Sequence, residues 1–118
     1  MSNSDVPEVT EDNNDFTAIL FECIDDGLLT LGEGTRTALY RSLAKKYQLP
    51  AIHYMQTPLA LLAHLQESLS RFEYGVLEKL IIREIRMTFD LKETELTLGQ
   101  VVDGAKAKFD VFTGNGIP

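Results

Sequence analysis

Apolar side chains recur at intervals of three and four residues along most of this chain, and no segment alternates as a strand requires. Between residues 16 and 31 they fall at Phe16, Ile19, Leu20, Cys23, Ile24 and Leu28, one face of a 3.6-residue repeat. β-Branched residues are scattered. The chain is therefore expected to be all-α, a compact five-helix bundle. Its 118 residues suit one domain with a core large enough to close without staples.

Local signals divide the helices. Asn14 or Asp15 is placed to cap the first, which Gly27 or Gly32 would end. The second spans about residues 32–47, with Leu39, Leu43, Ala44 and Tyr47 inward, and stops before Pro50. Residues 50–56 read as a connector. Thr57-Pro58 opens the third helix with a capping hydroxyl and a proline where its missing N–H is harmless. Leu59, Leu62, Leu65 and Leu69, assisted by Leu61, form its inner side. The last helix covers residues 96–112. Thr97 and Gln100 make a capping box, Leu96 staples onto Val101, and Leu98, Val101, Val102, Ala105 and Phe109 keep the helical period. The string LTLGE at 29–33 echoes LTLGQ at 96–100, which reads as shared capping chemistry.

The fourth helix, residues 71–89, is the most informative. Tyr74, Leu77, Ile81 and Ile85 form one broad apolar arc, widened by Ile82 and Phe89. A second arc holds Val76, Leu80 and Met87. Lys79, Arg83 and Arg86 follow at i, i+4 and i+7 as a basic stripe. A helix apolar around most of its circumference is either central in its bundle or part of a partner interface. Gly75 inside it suggests a close helix crossing.

Charge is distributed unevenly. The net charge is -7, yet residues 1–15 carry Asp5, Glu8, Glu11, Asp12 and Asp15 and no base, leaving the other 103 residues near balance. With few apolar side chains to offset the entropy of ordering, residues 1–15 are expected to be a disordered acidic arm. It serves as a solubilising tail or, in a sharper reading, shields a basic face or docks on a basic partner. Residues 16–112 form the single domain and 113–118 a flexible end.

Chemistry is sparse. The GEGT run at 32–35 lacks the strand, further glycines and lysine of a phosphate loop. His53 and His64 have no ligand set at metal spacing, so His64 is read as a surface partner of Glu67 and His53-Tyr54 as cover for the core edge. Asp25, Asp26 and Glu22 read as a solvated acidic edge, and Cys23, on the inner face, as a buried inert thiol. A non-enzyme with no catalytic residue, cofactor, metal or small-molecule ligand is expected. One cysteine, no secretory-signal pattern and no run of ~20 apolar residues suggest a cytoplasmic protein with no membrane association.

Two functions follow. The favoured one is a protein–protein interaction or regulatory output module that self-associates, most simply as a homodimer, through Val76, Leu80 and Met87; its counterpart is that another helix of the same chain covers that arc. The alternative is a DNA-binding regulator using Arg36, Arg41, Lys45 and Lys46 of the second helix or Lys79, Arg83 and Arg86 of the fourth. Net acidity opposes nucleic-acid binding, although the near-neutral body weakens that objection.

Residues 24–49 also carry an acidic helix end (Asp25, Asp26), Leu31-Gly32-Glu33, Leu39-Tyr40 and Lys45-Lys46-Tyr47. A capped helix with Thr57, Leu62 and Leu65 follows, then Phe72, Gly75, Leu77, Glu78, Ile81 and Ile82. Over residues 16–91 this pattern resembles small archaeal all-helical domains of the Nitrosopumilus-type output family. The sequence departs from it at Phe72-Glu73, where glycine is expected after the phenylalanine, and adds the 96–112 helix. The resemblance implies a signalling-output module without catalysis and supplies no site residues.

Overall fold

The computed structural model describes residues 5–93 and 96–113, with side chains between residues 15 and 111. Six helices follow in order: α1 (Asp5–Thr30), α2 (Glu33–Tyr47), α3 (Ala51–Gln56), α4 (Pro58–Ser68), α5 (Arg71–Phe89) and α6 (Leu98–Thr113). Among the described residues there is no strand. The sixth helix is α3, in the segment expected to be a connector. Pro50 opens it in extended geometry, and six residues are too few to display an apolar period. It is nonetheless anchored, because Tyr54 is almost wholly buried.

The first helix starts at Asp5, so Asn14 and Asp15 are interior positions and not caps. Helical backbone over residues 5–15 departs from the disordered arm expected there. Pro7 falls in the first turn, where its missing N–H has no helical partner to lose, and acidic residues suit a positive helix N-terminus. Residues 1–4 lie outside the described residues, as does the expected flexible end beyond Thr113.

The α1–α5 pair is the spine of the molecule. Phe16 meets Phe89 at 5.7 Å between ring centroids, Cys23 Sγ lies 3.5 Å from Thr88 Oγ1, and Gly27 faces Ile81. Rising numbers on α1 match falling numbers on α5, so the two run antiparallel. Gly27 therefore does not end a helix; it is the crossing point. No atom lies within 4 Å of a Cβ placed on Gly75, so the close approach expected there is on the other helix. Gly32 makes the α1–α2 turn at φ 121°, ψ 140°, a conformation that glycine alone adopts readily.

Around the spine α2, α3, α4 and α6 close the core. Phe16, Leu20, Cys23, Ile24, Leu28, Leu43, Leu61, Leu62 and Leu65 are buried, as are Tyr74, Leu77, Ile81 and Ile85 of α5 and Leu98, Val101, Ala105 and Phe109 of α6. Two inward assignments fail. Leu59 is 59% exposed, because Pro58 at the first helical position takes the buried place, and Ala44 is exposed.

Two caps differ from expectation. The Thr57 hydroxyl donates backwards to the His53 carbonyl, and the Thr30 hydroxyl donates to the Asp26 carbonyl; neither caps a following helix. The 29–33 and 96–100 echo is thus not shared capping chemistry, since only the second copy caps a helix. Thr97 and Gln100 do form the box, at 2.9 and 3.2 Å. A second box, Ser70 with Glu73, opens α5 at 3.0 and 3.1 Å. No helix is long and apolar enough, among the described residues, to cross a membrane.

Candidate protein interface

Because Tyr74, Leu77, Ile81 and Ile85 turn to the core, the 3.6-residue period turns Phe72, Val76, Leu80, Arg83 and Met87 outward. Phe72 is 80% exposed, Val76 41% and Met87 63%, while Leu80 is half-buried. Lys79 and Arg83 are exposed and Arg86 half-buried along one edge of this strip. The sequence-predicted interface residues and the basic stripe therefore belong to one surface. Phe72 was not among the candidates, although its i, i+4, i+8 spacing with Val76 and Leu80 is visible in the sequence.

The edge is shaped by the return of the chain after α5. Lys108 Nζ donates to the Asp90 carbonyl at 2.8 Å, whereas Thr97 lies beside Glu78 and Lys79, so α6 runs in the same sense as α5. A groove of about 530 Å³ results, lined by Glu78, Lys79, Ile82, Arg83, Arg86, Leu96 and Thr97. No ion pair among the described residues uses Lys79, Arg83 or Arg86. Arg86 Nε is out of solvent and has no hydrogen-bond partner among the described residues. A guanidinium N–H held this way favours an incoming acceptor, since leaving it unmet costs about 1–3 kcal/mol.

The second-helix cations are differently employed. Arg36 donates twice to Asp25, at 2.7 and 2.9 Å, and Tyr40 donates to the same carboxylate at 2.8 Å. Asp25 is therefore not part of a solvated edge, and Arg36 is withdrawn from the set that can meet phosphate. The bond to Asp25 raises the Arg36 pKa further; burial, then Asp25, raises that of Tyr40. Arg41, Lys45 and Lys46 are exposed on α2, which packs on α1 and α4, with Lys46 Nζ 5.3 Å from the Tyr47 ring centre.

His64 is not a plain surface partner of Glu67. Its ring stacks on Tyr47 at 3.7 Å and its Nδ1 is hydrogen-bonded to the Tyr54 hydroxyl at 2.7 Å, while the Tyr47 hydroxyl donates to Glu67. The four side chains tie α2, α3 and α4 together, and burial raises the Tyr54 pKa. Two hydrogen bonds and a ring stack join these side chains to one another, so the cluster reads as a joint.

At the other end, α1, α5 and α6 border an open, mainly apolar cleft of about 780 Å³ floored by Ile19, Phe89 and Phe109. Cys23 is 2% exposed and burial raises its pKa, which disfavours the thiolate. No protein-family model, curated protein or solved structure matches this chain.

Proposed function

We propose that this chain is a non-catalytic protein–protein interaction module that self-associates through the outward face of α5. The observation that carries the proposal is the common exposure of Phe72, Val76 and Met87 on one helix whose opposite face is fully committed to the core. From Phe72 to Met87 the strip extends roughly 22 Å, at ~1.5 Å per residue, comparable with the length of a small interface. Burying an exposed phenylalanine or methionine contributes on the order of 1.5–3 kcal/mol each, before the cost of association. The resemblance to archaeal output domains implies the same kind of non-catalytic interaction or signalling-output role.

Light scattering across a concentration series tests it. The wild type is expected to approach twice the 13.2 kDa chain mass. Phe72→Glu and Met87→Glu, at positions already in solvent, should stay folded and shift the equilibrium to monomer by at least tenfold. A wild type that is monomeric throughout sinks the proposal.

DNA binding remains the second function, favoured by α5 cations that make no ion pair among the described residues and weakened by the loss of Arg36 to Asp25. Titration of a short duplex at low and moderate salt, with and without residues 1–15, decides it. Absence of binding in every condition disposes of it.

A further inference from the structure

The outward face of α5 holds three cations with no carboxylate partner among the described residues, and one of them, Arg86, keeps a desolvated Nε–H unmet. Whatever covers the apolar strip beside them should bring anions at matching intervals. This chain contains such a segment. Residues 1–15 hold five carboxylates and no base, and Glu8, Asp12 and Asp15 recur at i, i+4 and i+7, the interval of Lys79, Arg83 and Arg86. Val6 and Val9 lie among them at helical spacing.

We propose that the acidic N-terminal segment of a second copy of this chain docks on the Phe72–Met87 face of α5. The proposal rests on that face being the interface, and it names the occupant. Geometry disfavours the chain's own segment. Since α1 is antiparallel to α5 and Phe16 is level with Phe89, the turns of α1 before Phe16 continue past the C-terminal end of α5. Eleven residues at ~1.5 Å each carry the helix roughly 16 Å further from Phe72 and Lys79. A helix directed outward in this way meets another molecule and not its own α5.

In a two-fold pair each protomer offers one acidic segment and receives one, so both contacts close together. The net charge of -7 does not oppose this, because the carboxylates and the cations sit at separate places on each copy. Long-range attraction between them is screened by salt, which gives the association an ionic-strength dependence that a purely apolar contact lacks.

The test is charge exchange, read by sedimentation equilibrium of the full chain. Glu8→Lys with Asp12→Lys in one variant, and Lys79→Glu with Arg83→Glu in another, should each weaken self-association at least tenfold with unchanged circular dichroism. An equimolar mixture of the two variants should associate with near wild-type affinity, since every reversed segment then meets a reversed face. Raising salt from about 50 to about 500 mM should weaken the wild type and narrow its difference from either variant, because screening also relieves the like-charge repulsion in the variants.

If Glu8→Lys with Asp12→Lys associates as tightly as wild type while Phe72→Glu dissociates, the acidic segment is not the occupant, although the face remains an interface. Indifference to Phe72→Glu and Met87→Glu overturns the face itself. A monomeric wild type that binds duplex DNA through Lys79 and Arg83 overturns both in favour of nucleic acid.

Discussion

A Cβ added to Gly27 would lie 2.9 Å from Ile81 Cγ1 and 3.5 Å from the Ile81 backbone. Ile81 is fully buried and β-branched, so it has little freedom to yield. Gly27→Ala gains up to ~1 kcal/mol of helix propensity, but overpacking a closed core costs about 1–3 kcal/mol. The expected net effect is destabilisation by roughly 1 kcal/mol, whereas Gly75→Ala, in open space within α5, should stabilise by up to ~1 kcal/mol. Urea unfolding midpoints of the two variants should therefore move in opposite directions. Both glycines look alike in the sequence, one inside each apolar helix. Their opposite roles depend on what the neighbouring helix brings within 4 Å, which periodicity on one strand of chain does not contain.

The element that presents the interface depends on its cap. Ser70 and Glu73 close a reciprocal pair of hydrogen bonds at the start of α5, and the Ser70 backbone N–H holds the Glu73 carboxyl below its ordinary value near 4.5. A carboxylate whose folded pKa is lowered contributes stability above the unfolded value, and that contribution disappears as pH falls through the folded one. Helix content and stability should therefore decline below about pH 4.5. Glutamine retains the acceptor without titrating, so Glu73→Gln should reduce the difference in stability between pH 7 and pH 3. Equal pH dependence in the two proteins would show that the box carries none of it. The Ser-x-x-Glu spacing of this box is as readable in the sequence as that of Thr97 and Gln100. Thr30 and Thr57 show the converse, since each hydroxyl prefers a carbonyl four residues back once the preceding turn is helical.

For the molecule as a whole, the antiparallel α1–α5 pair buries Cys23 at its centre, and burial raises the thiol pKa. Labelling by a thiol reagent at pH 8 should therefore require global opening. At a stability of ~5 kcal/mol the protection is on the order of 10³-fold or more relative to the unfolded chain. Core truncations such as Phe109→Ala, which removes a ring 5.4 Å from Phe16, should accelerate labelling about tenfold for each ~1.4 kcal/mol of stability they lose. Labelling that is rapid in the native protein and insensitive to Phe109→Ala would mean α1 opens locally.

The helical period alone identified the all-α class, the buried stripe of α5 and most of the core, because burial of an amphipathic helix is dictated by which residues share its face. It also brought Val76, Leu80 and Met87 together with Lys79, Arg83 and Arg86, since one helix suffices to align them. Other features depend on pairs of helices: Arg36 spent on Asp25, His64 stacked on Tyr47, Gly27 against Ile81, and Tyr54 making an anchored helix of an apparent connector. Each joins residues ten or more positions apart through packing. A residue's spacing along one helix specifies its face, whereas its partner is specified by the crossing of two.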